Sequence, residues 1–131
     1  MASRLVSDLD ARIQESVRDV QRAWADAGHV VILTCTYRSP VEQDALYAQG
    51  RTLPGKIVTH AKGGESLHNK GLAVDFLPLV HGKAAWEDLL TFHDLAQIAM
   101  RVDPHVAWGG AWPFPKTDRP HLEWHLPVAE A

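Results

Sequence analysis

Two short stretches of the chain combine residue types that could hold a metal and move a proton. The first runs Ser66-Leu67-His68-Asn69-Lys70-Gly71-Leu72-Ala73-Val74-Asp75. Gly71 sits between His68 and Asp75, where a loop would turn into a strand. On a strand, Leu72, Val74 and Phe76 share one face and Ala73 and Asp75 share the other. A carboxylate on the inner half of a mostly apolar strand is costly unless it is paired or bound to a metal. The second stretch runs Asp118-Arg119-Pro120-His121-Leu122-Glu123-Trp124-His125. As a strand it puts His121, Glu123 and His125 on one face, opposite Leu122 and Trp124, with Pro120 fixing the backbone after Asp118. Two imidazoles and a carboxylate are a common protein set for catalytic zinc, with the fourth position left to water. Ligands without thiolate suit zinc better than an iron–sulfur or copper-thiolate centre. On residue types alone, a metal site and an ordinary set of paired polar groups both remain open.

The elements around these stretches can be read from periodicity. Leu5, Leu9, Ile13, Val17 and Trp24 recur at multiples of four, which predicts an amphipathic helix over 4–27 with Gly28 as its stop. Residues 30–36, VVILTCT, read as a buried central strand. Pro40 opens a short helix that ends at Gly50. The segment 51–69 is a long loop, and long loops in compact domains are usually functional. Residues 72–77 read as a strand. A second long helix is expected over 84–102, with Trp86, Leu89, Leu90, Ile98 and Val102 available to the core and Asp103-Pro104 as its end. Residues 106–120 read as an ordered Gly-, Pro- and Trp-rich loop, and 121–126 as a last strand.

Composition narrows the class. The chain has 131 residues, 46% hydrophobic and 22% charged, which suits one soluble domain spanning 1–131 with a real core. The net charge of −3 excludes a nucleic-acid binder that works by bulk positive charge and a polybasic membrane anchor. The single cysteine, Cys35, cannot form an internal disulfide or a thiolate zinc cluster and reads as a small buried hydrophobe. No secretory leader and no apolar run of transmembrane length is visible, so the expectation is a cytoplasmic product with no stable membrane insertion.

The order S-x-H-x-x-G-x-A-x-D, at Ser66, His68, Gly71, Ala73 and Asp75, resembles the signature of the M15 metallopeptidases. D-x-P-H-x-E, at Asp118, Pro120, His121 and Glu123, resembles that family's second motif. Thr36-Tyr37-Arg38-Ser39, followed by Glu42-Gln43 and Leu46-Tyr47, is similar to the first. The loop from Pro54 through Gly64 and the stretch Trp108-Gly109-Gly110 also look familial, so the resemblance covers roughly 30–125. It is strongest to the L-alanyl-D-glutamate endopeptidases of phage and prophage endolysins, with D-alanyl-D-alanine carboxypeptidases and dipeptidases as neighbouring branches.

The resemblance implies an α+β fold of the Hedgehog/D-Ala-D-Ala-peptidase kind, a small mostly antiparallel sheet packed with two long helices. It implies Zn2+ held by His68, Asp75 and His121, with Asp118 as general acid/base and Arg38 facing the developing oxyanion. Ser66, Gln43, Tyr37 and Trp108 fall on the substrate side. His125 is the rival ligand. Glu123 is expected to orient a ligand imidazole and is the rival acid/base. Trp108 and Trp112 are weighed both as packing and as groove walls. Ala111 stands where relatives often carry Asp, and Leu122 where Phe is usual.

The expected activity is cleavage of the peptidoglycan stem peptide at the L-Ala–D-Glu bond during phage-type lysis. The enzyme would be a monomer reaching the periplasm after a separate holin-like partner permeabilises the membrane. Removal of a terminal D-Ala is the nearest alternative, and a non-catalytic wall-binding module is the alternative from another class. A module that only binds should have lost a ligand or the acid/base, and every one of these positions is filled.

Overall fold

The computed structural model describes residues 2–127. Helix α1 spans Ala11–Asp26 and buries Ile13, Val17, Val20 and Trp24, the stripe that the apolar spacing predicts. It starts later than residue 4 because Asp10 caps it, accepting from the Arg12 N–H at 2.9 Å and from the Arg12 guanidinium. A carboxylate that captures nearby donors offers the backbone an alternative to helix. A separate 3-10 turn at Val6–Asp8 precedes it, and Leu9 still reaches the core.

The strands are β1 (Val30–Cys35), β2 (Ala73–Val80), β3 (Lys83–Ala84), β4 (Val106–Trp108) and β5 (His121–Trp124). The sheet order is β1-β2-β5-β4, with β3 added to β2, and each of these pairings is antiparallel. Helix α2 (Pro40–Ala48) follows β1, and helix α3 (Leu89–Val102) follows β3. The α+β class and the two long helices are as expected, and the short α2 makes a third helix.

Helices α1 and α3 meet the sheet through a shared core of Trp24, Phe76, Phe92, Leu95, Leu122 and Trp124 among others. The Trp24 indole donates to the Leu95 carbonyl at 2.9 Å, which satisfies its one polar atom inside the core. On β2, Val74 and Phe76 join this core while Asp75 points to the opposite face. On β5, Leu122 and Trp124 do the same while His121 and Glu123 point away.

Two expectations need correction. The second long helix begins at Leu89, not at 84, because Asp88 caps it by accepting from the Thr91 N–H at 3.1 Å and because Lys83–Ala84 pair with β2 instead. Trp86, Leu89 and Leu90 therefore lie outside the core, as does Val102 at the helix end; Ile98 packs at its edge, and Phe92, Leu95, Ala96 and Ala99 fill it. The segment 106–120 contains strand β4 at its start, so it is a loop only in part. Among the described residues no helix is long and apolar enough to cross a membrane.

A polar tie fastens α1 to the end of α3. Asp103 accepts from Ser16 Oγ at 2.7 Å, from the His105 N–H at 2.9 Å and from His105 Nδ1 at 2.8 Å. Ser16 Oγ in turn accepts from the Trp124 indole at 2.9 Å. Burial opposes the charge on Asp103, but the bonds from His105 and Ser16 outweigh it and hold the carboxyl below its ordinary value of 3.8. A carboxylate depressed in the folded state adds stability above its unfolded pKa, and that stability is lost as pH falls through the folded value. Asp103→Asn should cost about 1–2 kcal/mol at pH 7, the scale of one or two lost charge-assisted bonds. The gap between wild type and variant should close as pH falls below 3.8. Urea denaturation at a series of pH values checks both.

Candidate active site

A half-buried carboxylate on the central strand organises the site. Asp75 on β2 is the cross-strand partner of His121 on β5 and of Cys35 on β1. This register is reinforced where the Phe76 N–H donates to the Pro120 carbonyl at 2.8 Å. Asp75 Oδ1 lies 3.0 Å from His68 Nε2 and 3.4 Å from His121 Nδ1. The two imidazole rings meet edge-on with centroids 5.0 Å apart.

His68 reaches this point from a 3-10 turn, Leu67–Lys70, built by its own sequence. Ser66 Oγ accepts from the His68 N–H at 3.2 Å, and Asn69 Oδ1 accepts from the Ser66 N–H at 3.3 Å. Gly71 ends the turn with φ of 70°, a left-handed conformation that favours glycine. A Cβ there would also stand 2.8 Å from the Asp10 nitrogen. The turn is tied to the end of β1, since the Arg38 N–H donates to the His68 carbonyl at 3.1 Å and Asn69 Nδ2 to the Arg38 carbonyl at 2.9 Å.

Each imidazole is oriented by an acceptor behind it. His68 Nδ1 donates to the Thr36 carbonyl at 2.8 Å, which turns Nε2 toward Asp75. His121 Nε2 donates to Glu123 Oε1 at 2.7 Å, which turns Nδ1 toward Asp75. Glu123 holds its other oxygen against His125 Nε2. Burial opposes a charge on His68, yet the bonds to Asp75 and Cys35 push its pKa up to about 10. Burial likewise opposes the charge on His121, and Asp75 and Glu123 raise it. Burial would raise Asp75, but hydrogen bonds from His121 and His68 hold it far below the usual carboxylate range. Two ring protons thus converge on one carboxylate oxygen, where they stand in for a cation. Asp75 is common to two groups whose donor atoms lie within 4.8 Å of one another, Cys35–His68–Asp75 and Asp75–Asp118–His121, so donors suited to a metal are gathered around it.

Asp118 stands at the edge of this cluster. Its Oδ2 is 4.0 Å from His121 Nδ1, and ligand atoms of Asp75, Asp118 and His121 lie within 4.8 Å of one another. Its side chain is 48% exposed. Burial, and next the charge of Asp75, push its pKa upward. Glu123 behaves oppositely: burial opposes its charge, and His121 and His125 outweigh burial and lower it. The surroundings of Asp118 thus favour its protonated form, while both oxygens of Glu123 are taken up by imidazoles. Gly109 lies against Asp118, accepting from its N–H at 2.9 Å, and a Cβ on Gly109 would stand 2.4 Å from the Asp118 carbonyl.

Arg38 enters from the segment after β1. Nη1 donates to Gln43 Oε1 at 2.9 Å, and Nη2 lies 3.5 Å from Cys35 Sγ and 3.8 Å from Asp75 Oδ2. Gln43 is completely buried and also donates to Thr59 Oγ1 and the Ala61 carbonyl. The expectation that Gln43 lines a substrate groove is corrected: every polar atom of its amide is committed to holding Arg38 and the 59–61 segment.

An open cleft of about 680 Å³ lies over the cluster. Its floor is His68, Asp75 and His121, with Ile57 through Ala61 on one rim and Trp112 and Pro115 through Asp118 on the other. Ser66 lines it. Trp108 and Tyr37 are not among its lining residues. The Trp108 indole donates to the Arg119 carbonyl at 2.8 Å and its ring edge meets His93, so it packs under the loop. Trp112 takes the cleft position instead, with its ring 5.1 Å from that of His121. His125 is 60% exposed and bonds to Glu123, away from Asp75. Two contributors escaped the sequence reading. The Thr36 carbonyl is a backbone atom with no residue-type signal, and Cys35 Sγ, 3.7 Å from His68 Nδ1, sits in a strand that reads as plain core.

This fold, with an acid-flanked imidazole and carboxylate cluster under an open cleft, defines a peptidase of the metal-dependent, peptidoglycan-cleaving class. The chain belongs to the VanY family, described as D-alanyl-D-alanine carboxypeptidase, whose profile matches residues 6–127. It is 40% identical over 126 residues to the peptidoglycan L-alanyl-D-glutamate endopeptidase CwlK of Bacillus subtilis, covering 89% of this chain and 74% of that one. The fold is shared with the L-Ala D-Glu endopeptidase ChiX of Serratia marcescens, at TM-score 0.67 and 20% identity over 95% of this chain and 88% of that one. It is shared also with the vancomycin-resistance D,D-pentapeptidase VanY in complex with Zn(II), at TM-score 0.65 and 17% identity over 95% of this chain and 78% of that one.

The contact between Gly109 and Asp118 can be tested directly. Gly109→Ala should push the Asp118 loop outward and lower hydrolysis of purified peptidoglycan by about 10²-fold, the scale of an ångström-sized misplacement. Its far-ultraviolet circular dichroism should match wild type.

Proposed function

We propose that the chain is a zinc-dependent endopeptidase that cuts the L-Ala–D-Glu bond of peptidoglycan stem peptides. The observation that carries the reading is the convergence of His68 Nε2 and His121 Nδ1 on Asp75 Oδ1, with Asp118 beside them and its pKa raised. The 40% identity to an L-alanyl-D-glutamate endopeptidase supports the choice of bond.

In this reading His68, Asp75 and His121 hold zinc, and Asp118 is left free of it. Bound there, zinc would supply Lewis acidity that polarises a carbonyl and would lower the pKa of water to about 7. Asp118 accepts the proton of the attacking water and returns it to the leaving amine. Arg38, held by Gln43 and only 16% exposed, directs a permanent positive charge at the oxygen of the tetrahedral intermediate. Glu123 keeps the His121 ring turned. Ser66 and Trp112 flank the peptide.

The family description favours a second reading, removal of a terminal D-Ala. Digestion of purified sacculi followed by mass spectrometry separates the two. New amino-terminal Glu supports the endopeptidase, and free D-Ala supports the carboxypeptidase. On the sequence resemblance we extend the role to phage-type lysis with a separate permeabilising partner. Cells expressing the chain should then lyse when the membrane is opened and stay intact otherwise.

Asp118→Asn should retain zinc and lose roughly 10²–10⁴ in turnover, the usual contribution of general acid–base catalysis. Glu123→Gln should lose about 10–100-fold, because it only orients a ligand. Assays on one muropeptide, with zinc content measured by atomic emission, check both. A Glu123→Gln protein that keeps zinc but is the less active of the two would reverse the assignment.

A further inference from the structure

The cleft is rich in acid. Asp75, Asp118, Glu123 and Glu65 all line it. Its permanent cations, among the described residues, are Arg38 and Lys116. Arg38 is already engaged by Gln43, Cys35 and Asp75. His60 also lines the cleft, but an imidazole, unlike an ammonium, is not a permanent cation. Lys116 is exposed, and no hydrogen bond or ion pair engages its ammonium.

The Lys116 backbone is well placed. Its N–H donates to the Pro113 carbonyl at 2.9 Å, and Thr117 Oγ1 donates to the Trp112 carbonyl at 2.7 Å, which closes the loop on itself. Lys116 precedes Asp118 by two residues on this loop, so both project from the same rim.

The proposed substrate supplies the complementary charge, and this step rests on the L-Ala–D-Glu reading. A glutamyl residue that donates its amine to the scissile bond has two carboxyl groups, and only one of them can continue the chain. The other is free, a few bonds from the leaving nitrogen. Asp118 must reach that nitrogen to return its proton. Zinc, where bound, offsets the acids at the floor, and Arg38 is turned to the oxyanion, so a free carboxylate beside Asp118 on the leaving-group side finds its cation in Lys116 on that rim. We propose that Lys116 binds this free carboxylate on the leaving-group side and so selects an acidic residue after the scissile bond.

The test uses two peptides that differ only in that carboxyl, one a free acid and the other a carboxamide, with the zinc-loaded enzyme. Wild type should favour the acid by about tenfold in kcat/KM, the lower end for a hydrogen bond to a charged group, because the site is open to solvent. The difference should lie mainly in KM and should shrink with added salt. K116Q should cleave both peptides equally, at the wild-type rate for the amide, and K116E should favour the amide. Zinc content and melting temperature should match wild type. If wild type cleaves acid and amide equally, or K116Q loses equally on both, the inference is overturned while the endopeptidase reading stands. If the zinc-loaded wild type cleaves neither peptide, the endopeptidase reading fails and the inference falls with it.

Discussion

An aspartate set into the middle of a sheet is the constraint on which this structure turns. Asp75 occupies a central strand between Val74 and Phe76, both deep in the core. Ionised, it could not stay there unpaired. The antiparallel register of β2 and β5 answers this by setting His121 across from it, and the turn before β2 brings His68 to the same oxygen. A slip of one residue in that register would exchange His121 for a core leucine. Correct strand pairing and assembly of the site are thus one event. The core side chains on the opposite face, Phe76, Leu122 and Trp124, specify the register by burial, and the polar face inherits it.

The two imidazoles are not equivalent. His68 turns Nε2 to the centre because a backbone carbonyl holds Nδ1, and His121 turns Nδ1 because Glu123 holds Nε2. The first orientation belongs to the fold itself, since the Thr36 carbonyl is fixed by the chain after β1. The second depends on a side chain two residues along the same strand, where alternation sends both to one face. Glu123 also draws in His125, so a residue that looked like a rival ligand becomes a prop for the carboxylate.

Much of this was legible before the structure. Strand parity put Asp75 and His121 on polar faces, but it was the family resemblance that joined His68 to them, since His68 lies in a turn where parity says nothing. Asp118 was set apart from Glu123 by the resemblance alone, and the surroundings that distinguish them physically are not carried by a linear reading. The errors have the same origin. Trp86, Leu89 and Leu90 are apolar and adjoin a true helix, but Asp88 claims the first turn and Lys83–Ala84 join the sheet. Trp108 and Trp112 are alike in type, and a three-residue strand with a single 3-10 turn between them decided which faced the cleft. Gln43 was read from its motif as a groove residue, whereas complete burial makes it part of the frame.

That buried glutamine has a consequence for how variation in the cleft should be interpreted. One amide joins three separate stretches of chain: the arginine after β1, helix α2 and the 59–61 rim. None of the three can drift on its own without stranding a polar atom in the interior. A single exchange at any of these places leaves a buried polar group of Gln43 without its partner, a cost that a compensating change at the same amide would remove. The opposite rim around Lys116 is held by bonds among residues 112–117 and is joined to the rest of the site at Asp118, so new selectivity can accumulate there away from that anchor.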